Sequence, residues 1–181
     1  MRERTRKSAL REALEEMTHE DDVSRHPALL AALTRECPNT VSLLNSAHPI
    51  RRYTCVMHVF DFAEKPDYAA IATSGLGKIF AAGDFVHRLL DHQLLTEVTQ
   101  SEAREGDIAL YFGEAGRFKH AGRMLENGRV VSKWGIGHVY EHEVLEVPES
   151  YGNILRFFRG LSYEEAFGHF LHFAEEKGAR V

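Results

Sequence analysis

The sequence lacks a long apolar run, a basic block and a cysteine-rich framework. No apolar stretch approaches the roughly 20 residues that cross a bilayer, and the basic N-terminus is not followed by the apolar segment of a secretory signal. The formal net charge of −5 argues against a nucleic-acid surface. The two cysteines, Cys37 and Cys55, do not make a disulfide framework. These absences predict a cytoplasmic protein that acts on neither nucleic acid nor membranes, although delivery by a dedicated secretion system remains compatible with them.

The 181 residues fit one domain of ordinary size with a helical extension in front of it. Residues 2 to 19 show apolar residues at helical spacing, and Pro27 suits the first turn of a second helix. We therefore assign residues 1–38 to an N-terminal helical extension that packs on the domain, and residues 39–181 to the domain itself. Strand patterns followed by a closing helix predict an α+β fold for this domain.

The stretch from Gly106 to Gly135 is typical of three short strands joined by turns. Its second turn, at residues 126–128, closes either with two residues, pairing Leu125 with Val130, or with three, pairing Leu125 with Arg129. We predict the three-residue loop, because it separates an apolar face from a mostly charged one. The apolar face then carries Phe118, His120, Gly122, Met124, Val130, Ser132 and Trp134, and the charged face carries Lys119, Ala121, Arg123, Leu125, Arg129, Val131 and Lys133.

His120 is the candidate general base on the apolar face. In the chosen register Ser132 lies diagonal to His120, within reach of a side-chain hydrogen bond that would orient the ring. Such a pair needs a nucleophile from elsewhere in the chain. Cys55 is the best candidate, because it follows Thr54 at the start of a helix predicted from Cys55 to Glu64, where the helix dipole lowers the pKa of a thiol. We therefore expect a Cys55 thiolate paired with a His120 imidazolium.

Three short motifs resemble one family. Cys55 at a helix start, Gly106-Asp107 opening one strand and His120-Ala121-Gly122 opening the next are similar to the NlpC-like, papain-fold cysteine peptidases. The stretches YTC, HAG and SKWG are also similar to a group of small uncharacterised bacterial proteins within that fold. The resemblance covers residues 52 to 159 and implies a papain-like antiparallel sheet with the nucleophile at a helix N-terminus. It also implies a peptide or peptidoglycan-fragment substrate, and it puts Ser132 where the family usually has a third catalytic His, Asn or Gln.

Three further side chains are candidates for a substrate pocket around Cys55. Tyr53 precedes the cysteine by two residues, and His58 follows it by about one helical turn. Trp134 shares the predicted apolar face with His120. A structural role remains open for two of the histidines. His58 also fits a partly exposed position on a helix, and His120, the candidate base, also fits a position in the core.

The stretch from His138 to His142 spells H-x-x-E-H, the zinc motif of inverzincin peptidases. That motif works on a helix, where both histidines share one face. The neighbouring glycines and β-branched residues favour a strand instead, in which Glu141 points away from the histidines. We therefore predict no metal and no cofactor, with a zinc hydrolase as a lesser alternative.

The residues and the resemblance together predict a thiol hydrolase that cleaves an amide bond through an acyl-enzyme on Cys55, with His120 as base and Ser132 orienting it. An acyltransferase would use the same intermediate. The main alternative is a catalytically silent papain-like module that binds a protein partner and retains the Cys/His pair as a relic.

Overall fold

The computed structural model describes residues 2–44, 50, 53–74 and 78–179, so Arg52, where the family resemblance begins, lies outside the described residues. The helices in these ranges are α1 Arg2–Thr18, α2 His26–Glu36, α3 Cys55–Val59, α4 Pro66–Ala72, α5 Gly83–Asp91 and α6 Tyr163–Glu176. The strands are β1 Ser42–Leu44, β2 Glu97–Val98, β3 Ile108–Phe112, β4 Phe118–Met124, β5 Val130–Lys133, β6 Val139–His142 and β7 Ile154–Phe158.

The seven strands form one open antiparallel sheet in the order β1-β6-β5-β4-β3-β7-β2. The α+β fold class predicted from the sequence is therefore confirmed. Helices cover both faces of the sheet, since α1 and α2 pack on one face and α3 to α6 share a core with the other. None of the described helices combines the length and the apolar character needed to cross a membrane.

The N-terminal helices bury their apolar side chains against the sheet. Leu10, Leu14 and Met17 belong to the same core as Tyr111 and Tyr140. Alternation of side chains along a strand explains why one set of strand residues faces α1 and α2 while the intervening set faces α3 to α6. The boundary at residue 38 between extension and domain stays a prediction.

The hairpin between β4 and β5 has the predicted three-residue loop. The Leu125 N–H donates to the Arg129 carbonyl over 2.8 Å, and Gly128 has a φ of +77°, which a side chain at this position would disfavour. The predicted face was wrong for Phe118, because a bulge skips Lys119 between the pairs Tyr111↔His120 and Phe112↔Phe118. Phe118 therefore packs on the α3 side.

The face predicted to be mostly charged is not open to solvent. Ala121 and Lys133 on this face are 0% and 1% exposed, because α3 lies across it. Apart from Phe118, the sequence pattern distinguished the two faces correctly, but a lysine in a strand does not reveal whether a helix covers it.

Helix α3 ends five residues earlier than predicted, at Val59 rather than Glu64. The chain reverses there: the Phe62 N–H donates to the Met57 carbonyl over 2.9 Å, and Asp61 has a φ of +56°. Residues two apart in a regular helix point in different directions. The reversal lets Phe60 and Phe62 enter one aromatic cluster, with ring centroids 5.9 Å apart.

Candidate functional site

A cleft of about 550 Å³ opens beside the first residue of α3. Cys55 and His120 both line it, so the structure brings the two principal candidates together. Among the residues that the structure describes, the lining contains two lysines and no aspartate or glutamate, which makes the cleft locally positive on a chain of net charge −5. The lining residues are Tyr53, Thr54, Cys55, Met57, Phe80, Ala82, Lys119, His120, Lys133, Gly135, Ile136 and Tyr151.

Cys55 is positioned by a helix that is fixed at both ends. The Thr54 hydroxyl accepts a hydrogen bond from the Met57 N–H over 3.1 Å and donates to the Ala81 carbonyl over 3.0 Å. At the other end, the Arg123 guanidinium donates to the Val59 carbonyl. The N-terminal cap is the arrangement that Thr favours. Cys55 is consequently held, half-buried, at the edge of the cleft.

The pairing of β4 with β5 leaves a gap in the sheet beside Ala121, and the Cys55 sulfur is in contact with the Ala121 backbone there. The β4–β5 pairing comprises Met124↔Val130 and Arg123↔Val131 and goes no further toward the start of β4. Alternate residues of β4 direct their N–H groups toward β5, as Leu125 does, so the Ala121 N–H also points into this gap. There it meets the Cys55 sulfur and favours the thiolate.

The expected Cys55 thiolate is wrong for the free protein. Burial raises the pKa of the Cys55 thiol, and this effect exceeds the lowering by the N–H groups of Ala121, Val56 and Cys55 itself and by the charge of Lys133. A helix of five residues also has a much smaller dipole than the longer helix predicted from the sequence. The thiol is therefore mainly protonated at neutral pH.

His120 is buried on the opposite side of β4 from Ala121. Its ring stacks on Tyr151, with centroids 4.0 Å apart and planes at 22°, and lies 5.5 Å from the Tyr111 ring. Burial holds the pKa of His120 well below its usual range, with smaller contributions from His142 and His58. The expected imidazolium is therefore also wrong.

Cys55 and His120 are not hydrogen-bonded to each other in this structure. Within the described part of the chain, the buried Nε2 of His120 has no hydrogen-bond partner at all. An unpartnered ring nitrogen in a buried position is unusual, because buried polar atoms normally find partners. His120 thus has an unused nitrogen, although its Nε2 is not joined to the sulfur.

Ser132 does not orient His120, and that prediction was wrong. The register places Ser132 beside Gly122 as expected, but its hydroxyl donates to Nε2 of His142 over 2.8 Å and accepts from Nε1 of Trp134 over 2.9 Å. The direction follows because Nδ1 of His142 must donate to the Glu143 carbonyl, 2.8 Å away. Burial lowers the pKa of His142 to about 4, so its ring stays neutral in this network.

The three candidate pocket residues have different positions. Tyr53 lines the cleft, whereas Trp134 is 1% exposed and stacks on Tyr140 with ring centroids 4.3 Å apart, on the side of α1 and α2. His58 does not line the cleft, but its ring lies 6.1 Å from the Tyr53 ring. The prediction that Trp134 contributes to this pocket was therefore wrong.

Four of the five residues of the H-x-x-E-H stretch, Val139–His142, form strand β6, as the flanking residues predicted. His138 donates from Nε2 to the Val23 carbonyl over 2.9 Å, and His142 is occupied by Ser132. Glu141 forms an ion pair with Arg129 at 2.7 Å. No group of three or more His, Cys, Asp or Glu side chains that could hold a metal occurs among the residues the structure describes. The zinc alternative therefore lacks the helix on which its motif depends.

Residues 48–159 match one family model, described as a domain of unknown function, DUF7689. The chain belongs to the DUF7689 family. The matched residues include every described residue that lines the cleft, from Tyr53 to Tyr151. Helices α1 and α2 lie outside the matched region. No curated protein and no solved structure matches the chain.

Within the DUF7689 region, Lys133 and Tyr151 are cleft residues that the sequence reasoning did not identify. Lys133 is the last residue of β5 and is followed by the short turn Gly135-Ile136-Gly137, which closes back on its side chain. A lysine directly before a tight glycine-containing turn is the sequence feature that could have indicated this position, because the carbonyls of such a turn can accept hydrogen bonds from the lysine. Tyr151 lies far from the other lining residues in sequence, and no local pattern marks it.

Proposed function

We propose that this protein is a thiol hydrolase of papain-like type that cleaves an amide bond through an acyl-enzyme on Cys55, with His120 as base. The carrying observation is that Cys55, on a helix fixed at both ends, shares one cleft with His120, whose Nε2 has no partner among the described residues. The resemblance to NlpC-like peptidases supports a peptide or peptidoglycan-fragment substrate.

The reaction would begin from two neutral groups. The Cys55 sulfur attacks the carbonyl carbon as its proton passes to the His120 ring, and backbone N–H groups beside the sulfur, including that of Cys55, can stabilise the developing oxyanion. The carbon–nitrogen bond then breaks and the amine leaves with the proton from His120. Water, deprotonated by His120, hydrolyses the thioester and restores the thiol. An acyltransferase would replace this water with another nucleophile.

A neutral His120 is suited to accept a proton, because a general base must be unprotonated before the reaction. The ring and the sulfur need to approach each other when substrate binds. Hydrogen bonds between catalytic groups are often long in ligand-free structures and tighten in the substrate complex.

An activated ester tests the proposal without knowledge of the natural substrate. We expect p-nitrophenyl acetate to acetylate Cys55 in preference to Cys37, as measured by mass spectrometry of the two peptides. Both cysteines are half-buried, so exposure alone does not explain a difference. Cys37→Ala should retain the acetyl-enzyme, Cys55→Ala should lose it, and His120→Gln should form it more slowly. Equal, slow acetylation of Cys37 and Cys55 would contradict the proposal.

The second candidate is a catalytically silent papain-like binding module. The missing hydrogen bond between Cys55 and His120 favours it, as does the exposure of Phe80 and Ile136, each 44%, at the cleft. Exposed apolar side chains at a concave site suit a protein or peptide ligand. Binding of a ligand in this cleft by Cys55→Ala, together with absence of an acetyl-enzyme in the unmodified protein, would select this function.

A further inference from the structure

Lys133 is a buried cation without a carboxylate partner. Its side chain is 1% exposed and takes part in none of the ion pairs found in the described part of the chain. Nζ donates to the carbonyls of Gly135 and Gly137 over 2.9 and 2.7 Å and lies 5.1 Å from the centroid of the Tyr53 ring. Carbonyl dipoles and an aromatic face solvate the charge but leave it unneutralised. An ammonium has three N–H groups, so one remains available to the cleft.

Lys133 and the Cys55 sulfur are on the same side of the sheet. The pair Arg123↔Val131, continued by two residues, places Lys133 across the gap from Ala121, whose N–H meets the sulfur. His120 precedes Ala121 by one residue and therefore points to the other side. Because the described lining residues include no aspartate or glutamate, a thiolate at Cys55 is the natural counter-ion for Lys133.

The ionisations of Cys55 and Lys133 are coupled. The charge of Lys133 lowers the pKa of Cys55 against the larger rise caused by burial. Burial lowers the pKa of Lys133 to about 8, and a thiolate at Cys55 raises it. His120, by contrast, is held neutral by its burial and by two other histidines. At neutral pH the site consequently contains an ammonium but no imidazolium.

We infer that Lys133 supplies the positive charge that stabilises the Cys55 thiolate, while His120 serves only to take the proton. This inference rests on the proposed function. In the step concerned, the S–H bond breaks, the proton moves to the His120 ring and the electron pair stays on sulfur beside the Lys133 ammonium. That pair then forms the bond to the carbonyl carbon, and the carbonyl π electrons move to oxygen. Lys133 stays protonated throughout.

The other titratable side chains that line the cleft are Tyr53, Lys119, His120 and Tyr151. Outside the lining, His58 lies beside the Tyr53 ring and Arg123 belongs to β4. Arg123 is paired with Asp61 at 3.0 Å. Burial raises the pKa of Tyr151. The effect of Lys133 therefore has to be measured against substitution of His120 as the main competing group.

The experiment is the rate of Cys55 alkylation by iodoacetamide as a function of pH, with Cys37 in the same sample as the reference. Lys133→Gln removes the charge but keeps N–H donors for the two glycine carbonyls, and Lys133→Arg keeps the charge. We expect Lys133→Gln to slow alkylation near neutral pH roughly tenfold and to move the profile to higher pH, since an opposite charge nearby is lost. Lys133→Arg should retain the rate to within about threefold, and His120→Gln, which removes no charge from the resting site, should move the profile less than Lys133→Gln does.

The outcomes separate this inference from the proposed function. An unchanged profile in Lys133→Gln, or a shift in His120→Gln at least as large as that in Lys133→Gln, overturns the assignment of Lys133 even if Cys55 forms an acetyl-enzyme. Failure of the unmodified protein to acetylate Cys55 overturns the proposed function instead.

A measurement on the unmodified protein covers the case in which Lys133 variants do not fold. The ratio of the Cys55 alkylation rates with anionic iodoacetate and neutral iodoacetamide should exceed the ratio at Cys37, because a cation near the sulfur attracts the anion. The excess should decline as pH rises through about 8, where Lys133 loses its charge. Equal ratios at Cys55 and Cys37 throughout this range would overturn the inference.

Discussion

Replacing Ser132 with alanine separates a structural role of this serine from a catalytic one. The hydroxyl joins His142 to Trp134, and all three side chains are at most 1% exposed. Ser132→Ala therefore leaves two buried polar nitrogens without partners. Each such group costs about 1 to 3 kcal/mol, so the free energy of unfolding should fall by about 2 to 6 kcal/mol. For a chain of this length the melting temperature should fall by roughly 5 to 20 °C.

The assay combines thermal unfolding with the chemistry of Cys55. Circular dichroism gives the melting temperature, and acetylation of Cys55 is measured well below it. Ser74→Ala is a suitable control, because Ser74 is exposed and its hydroxyl also donates one hydrogen bond, to the Ile71 carbonyl over 2.9 Å. We expect the control to change stability by less than about 0.5 kcal/mol. We expect Ser132→Ala to lose stability while the folded fraction retains Cys55 reactivity.

The opposite pattern would refute this reasoning. If Ser132→Ala melted at the temperature of the unmodified protein but acetylated Cys55 much more slowly, the serine would be acting on His120 rather than holding His142 and Trp134. That result would restore the catalytic role that the family resemblance implies for this position.

Two further predictions concern packing and pH. Gly122→Ala should lower the free energy of unfolding, measured with denaturant, by about 1 to 3 kcal/mol, because the added Cβ would lie 2.3 Å from Cγ1 of Val130. Gly168→Ala is the control: its Cβ would meet no atom within 4 Å, so the substitution should be neutral or stabilising. Burial lowers the pKa of Lys133 from 10.5 to about 8, so between these pH values the unfolded chain binds more protons than the folded one. The free energy of unfolding should therefore rise with pH across this window, by on the order of 2 to 3 kcal/mol relative to Lys133→Gln. A flat difference between these two proteins from about pH 8 to about pH 10 would contradict the second prediction.

The hairpin could be predicted from the sequence because its determinants are local. The Asn127-Gly128 turn and the alternation of apolar residues specify the register, and the structure has that register. The same reasoning applied to Gly135-Ile136-Gly137 would have paired Trp134 with His138 and placed His142 on the face of Ser132, as the structure does. The partner of Ser132 was therefore within reach of sequence analysis, but only once a second turn was treated like the first.

Other features depend on contacts that no local pattern records. Whether Lys133 is exposed depends on α3, which starts 78 residues earlier in the chain and crosses the strand face. The end of α3 depends on Phe60 and Phe62 entering one core, which propensity does not reveal. The stacking of Tyr151 on His120 joins two distant segments in the same way. These are tertiary effects, and each of them alters the chemistry expected at the cleft.

The electrostatics of the cleft decide how the proposed chemistry is divided among its residues. Burial favours the neutral forms of both Cys55 and His120, so neither group provides charge before the substrate binds. A thiol and an imidazole in this condition exchange a proton only if the resulting negative charge is stabilised by something already present. Fixed N–H groups and a preformed ammonium do this without reorganisation, which is the main advantage of an enzyme site over water. Lys133, held by two backbone carbonyls, satisfies that requirement, whereas an imidazolium created by the same proton transfer would have to serve as both proton acceptor and counter-ion.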